Sequence, residues 1–167
     1  IKTLKSNDVF EEAFIFATNG TELSTEWSKS IINECNKIKR DISVQDIDSR
    51  KDLRSLNFVT IDGSNAKDFD DAIFCKLNPD GFMLYVAIAD VSFYVKENSA
   101  IDMEARARAT STYMFRKVLP MLPEKLSNDL CSLKEGVLRK TLIVKINFDK
   151  AGNIETVSYT HLTLPTT

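Results

Sequence analysis

The 167-residue chain is poor in the residue types that build several common functional sites. It has one histidine, one tryptophan and three cysteines. Cys35, Cys75 and Cys131 are odd in number, far apart and without CxxC spacing, which argues against both a disulfide framework and a zinc site. Because free thiols suit a reducing compartment, we predict a cytoplasmic location.

Long apolar runs and an excess of positive charge are also missing. No stretch approaches the roughly 20 apolar residues that a membrane-spanning helix needs, so we expect no membrane partner. The 22 basic and 24 acidic residues leave a net charge of -2, which excludes nucleic-acid binding through overall positive charge. Any contact with RNA must therefore be local.

The last eleven residues, 157–167, change abruptly to threonine and leucine and carry no charged residue. Their start, Val-Ser-Tyr-Thr-His-Leu, is similar to the translation of a transposase-type sequencing adapter. We therefore predict a non-native tail and exclude it from the expected fold, with a short exposed strand and a frayed terminus as the alternative. The single histidine, His161, lies in this tail, so mechanisms that require a histidine base have no support. The chain also begins without methionine, and we expect it to be a fragment.

Two patterns organise the first third of the chain. The aromatic segment 9–16, ended by Asn19-Gly20, predicts the last strand of an upstream domain. Apolar residues spaced by three and four from Trp27 to Ile38 predict an amphipathic helix, capped by Ser24 or Thr25. The charged residues 39–54 then indicate a solvated connector.

The remaining two thirds alternate strand-like and helix-like patterns, which indicate an α+β fold with a mixed or antiparallel sheet and flanking helices. The Asn-Pro-Asp-Gly turn at 78–81 predicts a hairpin. Ser99 is expected to cap a helix that ends near 110–112. Residues 116–127, with two prolines, are expected to form a rigid loop. The predicted strands are 58–61, 72–75, 82–90 and 141–148, and the last turns back at 151–152.

The segment 60–72 carries the strongest chemical signal, because four aspartates lie within ten residues. They are Asp62, Asp68, Asp70 and Asp71. Such close carboxylates repel one another, and Lys67 alone cannot balance four negative charges. Magnesium or manganese can, since both prefer hard oxygen ligands. We expect Gly63 to let the loop bend sharply and bring Asp62 near the other three. The natural use of such a site is phosphodiester hydrolysis.

Other acidic motifs fit this segment less well. An EF-hand needs its glycine after the third acidic position and helices on both sides, whereas in this chain Gly63 follows the first aspartate and the flanks are strand-like. Asp68-Phe69-Asp70 alone would be weak evidence for a metal-dependent transferase. A solvated acidic turn is the remaining alternative, and the apolar strands on both sides argue against it.

The segment 62–72 resembles the signature of the catalytic RNB domain of the ribonuclease II / ribonuclease R family. The resemblance continues in the same order through 86–92, 119–127 and 130–133. The block Leu119-Pro-Met-Leu-Pro-Glu-Lys-Leu-Ser127 is closer to the ribonuclease R branch. Several blocks in order make the resemblance far more specific than the acidic loop alone.

The resemblance implies a processive 3′-to-5′ exoribonuclease that uses Mg²⁺ to release nucleoside 5′-monophosphates from single-stranded RNA. Asp62, Asp68, Asp70 and Asp71 match the family's catalytic and metal-binding aspartates. Among them we expect Asp70 to be the least replaceable, with Asp62 and Asp71 contacting metal directly. Ser64-Asn65 stands where many members have Glu-Asp, which removes no matched aspartate.

Three further positions are predicted to contact RNA. Tyr113 matches a tyrosine that packs against a base near the 3′ end, a kind of contact that tolerates any sequence. Lys67 and Arg116 are candidate phosphate contacts, and Arg106, Arg108 and Lys117 are weaker ones. Asp90, at the end of an apolar strand, is expected to have a structural role.

The resemblance also divides the chain. Residues 1–20 are predicted to end a cold-shock-like (OB) domain, 21–49 to form a helical connector, and 50–156 to be the N-terminal part of an incomplete RNB domain, before the tail at 157–167. The complete enzyme is expected to be monomeric, with RNA and not DNA as its partner. The alternatives are an inactive ribonuclease-like RNA-binding module and, more weakly, a metal protein without nuclease activity.

Overall fold

A computed structural model describes residues 9–19, 24–114 and 116–165. The chain forms two compact units: the first combines the N-terminal residues to Lys37 with Lys96–Pro123, and the second combines Ile38–Val95 with the residues from Glu124 onward. No helix in the described ranges is long and apolar enough to cross a membrane.

Short helices and strands follow one another along the chain. The helices are α1 (Val9–Thr18), α2 (Lys29–Lys37), α3 (Val44–Asp48), α4 (Val91–Tyr94) and α5 (Ala100–Arg108), followed by one π-helical turn (Leu126–Leu130). The strands are β1 (Lys51–Asp52), β2 (Asp71–Asn78), β3 (Gly81–Ala89), β4 (Thr112–Met114), β5 (Lys117–Leu119), β6 (Leu138–Asp149) and β7 (Ile154–Pro165).

The segment 9–16 lies in helix α1, so the predicted strand is wrong. Its aromatic residues suggested a strand, but Phe10, Ala13, Phe14 and Ala17 recur at the three-and-four spacing of one helix face. Together with Met114 they line a single apolar groove. The helical period therefore outweighs the β propensity of the aromatic residues. The assignment of 1–20 to an upstream domain stays a prediction.

Helices α2 and α5 lie where the sequence predicts them, but the predicted cap of α2 is wrong. Helix α2 starts at Lys29, and the amide of Ile31 donates to the hydroxyl of Ser28 at 3.4 Å, so Ser28 is the cap. In α5 the amide of Asp102 donates to Ser99 at 3.3 Å, which confirms Ser99 as its cap.

The expected rigid loop begins as a small hairpin. β4 and β5 pair antiparallel, with Tyr113 opposite Val118. Prolines indicated irregular structure for 116–127, yet Pro120 and Pro123 both follow β5, where they remove no hydrogen bond from the pair. The loop prediction is therefore wrong for Lys117–Leu119.

The second unit is built on a five-stranded sheet with the order β1-β7-β6-β3-β2. All neighbours are antiparallel except β1 and β7, so the predicted α+β class and mixed sheet are confirmed. The predicted hairpin is also confirmed, since β2 and β3 pair from Asp71 opposite Ile88 to Asn78 opposite Gly81. Phe58–Ile61 is not a strand, because it makes one bridge, Val59 to Ile73.

One face of this sheet is covered and the other is open to solvent. Ala72, Ala87 and Ile143 are cross-strand neighbours at no more than 1% exposure, and Phe58 is fully buried. Burial of a side chain as large as Phe58 or Ile143 contributes roughly 1.5–3 kcal/mol. On the opposite face the apolar side chains stay accessible, with Leu77 at 77% exposure. The buried side chains of the covered face fix the β2–β3 hairpin, and the aspartate loop leads into this hairpin at Asp71.

Two predictions about the flanks of the unit need correction. The tail was expected to lie outside the fold, but β7 runs to Pro165 and pairs with β6, with Val157 opposite Ile146. Whether these residues are native to the protein is a separate question, and that prediction stays open. The connector 39–54 is not simply solvated, since it contains α3 and the largely buried Arg50.

Candidate active site

The four aspartates lie in one loop that leads directly into the sheet. The amide of Ala66 donates to the carbonyl of Gly63 at 2.9 Å, which closes a turn after Asp62. The amide of Ala89 donates to the carbonyl of Asp70 at 3.0 Å, and Asp71 begins β2. The predicted acidic loop is therefore anchored to a strand on its C-terminal side, whereas the strand predicted before it, 58–61, makes only one bridge.

The middle of the loop is held from a second direction. The fully buried hydroxyl of Ser132 donates to the carbonyl of Lys67 at 2.7 Å and accepts from the amide of Phe69 at 3.2 Å. The amide of Leu133 donates to the carbonyl of Phe69 at 2.9 Å. The chain between Lys67 and Asp70 is thus attached to both the sheet and the segment after the π-helical turn.

The electrostatics of the loop single out Asp70. Partial desolvation and the negative charges of Asp68, Asp62 and Asp71 raise the pKa of Asp70 above its ordinary value. All three other carboxylates contribute, so the fold brings the predicted set into one electrostatic cluster. Asp68 is half-buried, and the other three are exposed.

The cluster has the donor chemistry of a metal site without a preassembled cage. Four carboxylates are the hard oxygen ligands that Mg²⁺ and Mn²⁺ prefer, and the raised pKa of Asp70 reflects unbalanced negative charge that a cation would neutralise. In the described parts of the chain, no group of three or more His, Cys, Asp or Glu side chains is arranged to hold a metal ion. The residues fit a divalent cation by type and charge.

The structural argument for Gly63 is not supported. A Cβ placed at Gly63 meets nothing within 4 Å, and among the described residues the glycines with positive φ are Gly81, Gly136 and Gly152. The loop as it stands therefore does not require glycine at position 63. The turn is closed instead by the hydrogen bond between Ala66 and Gly63.

The predicted RNA contacts divide between the two units. Lys67 is exposed within the aspartate loop of the second unit. Tyr113, in the first unit, lies on β4 with 66% exposure. Arg116 follows β4, and its guanidinium lies 4.3 Å from the centre of the Phe10 ring. Thus Tyr113 and Lys67 present accessible surface, whereas the guanidinium of Arg116 already contacts an aromatic ring.

Arg108, named as a weaker phosphate contact, is committed to the interior of the first unit. Its guanidinium donates to the carbonyl of Pro120 at 2.9 Å and to that of Ser24 at 3.0 Å, and it lies 3.8 Å from the Trp27 ring centre. At 7% exposure it is a structural residue. The sequence alone does not show whether a basic side chain near a helix end points to solvent or into the interior.

Asp90 has the structural role predicted for it. Its carboxylate accepts from the amide of Phe93 at 3.2 Å and caps α4, and it also accepts from Ser92 at 2.8 Å and Arg50 at 2.6 Å. The residue is 5% exposed. It directly follows β3, one residue after Ala89, whose amide donates to Asp70.

The residues that hold the aspartate loop, Ser132 directly and Arg139 through Ser132, were not predicted from the sequence. Ser132 lies in the block Leu130-Cys-Ser-Leu133, which carries part of the family resemblance, but nothing in its spacing connects it to residues 65 positions earlier. Arg139 was likewise not predicted, although its Nε donates to the Ser132 carbonyl at 2.7 Å. A serine between apolar residues was the available signal, and it is a weak one.

Comparisons with known proteins agree with this geometry. The model of the RNB domain matches residues 50–163. Ribonuclease R of Mycoplasmopsis pulmonis is 46% identical over 153 residues, which are 92% of this chain and 21% of the relative. The chain thus spans about a fifth of that curated relative's length.

Two solved structures of Mycoplasma genitalium RNase R are similar over 93% of this chain. The complex with double-stranded RNA has a TM-score of 0.84 at 38% identity, and the chain covers 27% of it. The complex with ribose-methylated single-stranded RNA has a TM-score of 0.83 at 38% identity, with 24% covered. These TM-scores show that the chain shares its overall fold with the matched part of both structures.

Proposed function

Because the chain belongs to the RNB domain family, we propose that it is part of a ribonuclease R-type 3′-to-5′ exoribonuclease. The complete enzyme hydrolyses single-stranded RNA to nucleoside 5′-monophosphates, and this chain contributes its acidic cluster. The four aspartates Asp62, Asp68, Asp70 and Asp71 are proposed to be catalytic and to hold Mg²⁺ or Mn²⁺.

One observation carries the proposal: partial desolvation and three neighbouring carboxylates together raise the pKa of Asp70 in a loop anchored to a sheet. Repulsion of this kind costs folding free energy unless a positive charge arrives. Since a structural loop gains nothing from it, we infer that the loop exists to receive a cation and a phosphate.

The proposed roles follow from the loop's charges. Asp62 and Asp71, both exposed, would bind metal directly. A bound divalent ion would supply Lewis-acid stabilisation of the charge that develops on the phosphate. Asp70, whose carboxylate interacts electrostatically with all three of the others, is proposed to be the least replaceable of the four.

RNA is the proposed substrate class, supported by the RNA present in both Mycoplasma genitalium complexes. Tyr113, with 66% of its surface exposed, offers a ring on which a base can stack. Lys67 is proposed to contact a phosphate beside the aspartates. Arg116 is the weaker candidate, because it would have to leave the Phe10 ring.

A cytoplasmic site of action is also proposed. Its support is that Cys35 and Cys131 are buried free thiols and Cys75 is an exposed one, as a reducing compartment allows. The monomeric state of the complete enzyme and its lack of action on DNA stay predictions.

The decisive test uses the complete reading frame that contains this chain. Uniformly labelled RNA is incubated with the enzyme and Mg²⁺, and the labelled nucleotides that are released are separated by chromatography. We expect Asp70→Asn to lower the turnover rate by roughly 100- to 10,000-fold, the range for loss of a side chain that takes part directly in the chemistry. Asp80→Asn is the matched control, because Asp80 is exposed in the β2–β3 turn and Asn-Gly still favours that turn.

The outcomes separate the candidate functions. Equal nucleotide release by the Asp70→Asn and Asp80→Asn variants would remove Asp70 from the chemistry. RNA binding without hydrolysis by the unmodified enzyme would favour the inactive RNA-binding module, for which the absence of a preassembled metal cage in the described residues is the supporting observation. Mg²⁺ binding without RNA binding would favour the metal protein.

A further inference from the structure

Ser132 makes two hydrogen bonds with one hydroxyl, on either side of Asp68. Its Oγ donates to the carbonyl of Lys67 at 2.7 Å and accepts from the amide of Phe69 at 3.2 Å. The residue has no exposed surface. The hydroxyl thus donates its one hydrogen to the aspartate loop and accepts a second bond from the same loop.

Leu133, the residue after Ser132, also bonds to the main chain of Phe69. Its amide donates to the carbonyl of Phe69 at 2.9 Å, so both polar groups of the Phe69 main chain are held by two consecutive residues. Phe69 separates Asp68 from Asp70. Because the direction of a side chain follows from its main-chain dihedrals, this contact sets how the two carboxylates leave the chain.

The main chain of Ser132 is itself held by the buried guanidinium of Arg139. Arg139 donates from Nε to the carbonyl of Ser132 at 2.7 Å, and its terminal nitrogen donates to Asp129 at 3.3 Å. Asp129 also pairs with Arg40 at 2.8 Å. Arg139 is 7% exposed, and a buried guanidinium with fixed partners is a rigid support.

We propose that Ser132 is a positioning residue that holds the aspartate loop in the geometry needed for hydrolysis, with Arg139 as its support. The catalytic part of this inference rests on the proposed exoribonuclease function. The hydroxyl acts through Asp68 and Asp70 and does not itself contact substrate. A carboxylate displaced by about 1 Å from its working position lowers a rate by roughly 100-fold, so loss of this one hydroxyl has a large effect.

The test compares Ser132→Ala, which removes both hydrogen bonds, with Ser132→Cys, which keeps the shape but bonds more weakly. Ile143→Val is the matched control: Ile143 is fully buried in β6 of the same unit, and its loss of one methylene is a core defect that removes no hydrogen bond from the loop. In the complete enzyme we expect kcat to fall about 10- to 100-fold for Ser132→Ala and less for Ser132→Cys. KM for RNA should stay within about twofold, since the loop does not supply most of the RNA-binding surface.

A second measurement does not depend on activity. Amide hydrogen exchange in the metal-free chain reports the contact directly, because the Phe69 amide is the one that Ser132 accepts from. We expect its exchange to accelerate at least about 10-fold in Ser132→Ala and Ser132→Cys. The Asp90 amide, which donates to the Lys140 carbonyl at 2.9 Å, should not change and is the internal reference.

The results distinguish this inference from the proposed function. If the unmodified enzyme does not hydrolyse RNA, the proposed function fails, and the Phe69 amide still decides whether Ser132 holds the loop. Unchanged Phe69 exchange in both serine variants would overturn the contact. A kcat loss no larger than that of Ile143→Val would overturn the positioning role. If Ser132→Ala does not fold, the same two criteria apply to Ser132→Cys.

Discussion

Arg50 and Asp90 form a buried ion pair: a terminal guanidinium nitrogen of Arg50 lies 2.6 Å from the Asp90 carboxylate, with the two side chains 10% and 4% exposed. Burial alone would raise the pKa of Asp90, but hydrogen bonds from Arg50 and Ser92 outweigh it and hold this pKa below its ordinary value. The pair attaches the segment before β1 to the end of β3.

Replacement of Asp90 by alanine is expected to destabilise the chain by about 3–5 kcal/mol, because it leaves the Arg50 charge buried without the carboxylate of Asp90. Urea unfolding measures the change. Asp52→Ala is the control: Asp52 pairs with Arg54 at 2.7 Å at the surface, and its loss should leave the unfolding midpoint unchanged. Similar midpoints for the two variants would contradict the assigned burial of Arg50.

Stability should fall in acid because of Asp46. Hydrogen bonds from Ser43 and Lys140 lower the pKa of Asp46 from 3.8 to about 2. A lowered folded-state pKa stabilises the fold above the unfolded-state value, and this contribution is lost as the pH falls from about 3.8 to about 2. Urea midpoints across that window should fall more steeply for the unmodified chain than for Asp46→Asn. Parallel curves would disprove the contribution.

Asp70 should titrate in the opposite sense. In the metal-free chain, ¹³C NMR of its carboxyl carbon should report a pKa above the ordinary value, because desolvation and three negative neighbours favour the protonated form. The ionised form of Asp70 is then less favourable in the folded state than in the unfolded state. The free energy of unfolding therefore rises as the pH falls through the raised pKa. Asp68→Asn should move the pKa of Asp70 downward. A pKa unaffected by Asp68→Asn would show that the carboxylates do not interact.

The β2–β3 turn should tolerate no side chain at Gly81. A Cβ there would lie 1.9 Å from the Phe148 carbonyl oxygen, a main-chain atom that cannot move independently. Gly81→Ala is therefore expected to cost about 2–3 kcal/mol in urea unfolding. Gly63→Ala, which meets nothing within 4 Å, should leave stability nearly unchanged. If Gly63→Ala were the more harmful of the two, the described turn geometry would be wrong.

Several features could be predicted from the sequence because residues close together in the chain determine them. The hairpin follows from the turn at 78–81, the Ser99 cap from its position before α5, and the acidic cluster from four aspartates within ten residues at the start of β2. The resemblance to the RNB family was likewise visible, and the family match confirms it. The strand predicted for segment 9–16 was wrong because its aromatic residues suggested a strand, whereas the three-and-four spacing of its apolar residues is that of a helix.

The sequence by itself determined which chemistry is present: four aspartates close along the chain must repel one another and attract a cation, whatever surrounds them. Only the tertiary structure decided how that chemistry is held. Ser132 reaches Lys67 and Phe69 across more than 60 residues, and Arg50 reaches Asp90 across 40. Such contacts depend on which segments pack together, and a buried serine or arginine carries no mark of its partner in the neighbouring sequence.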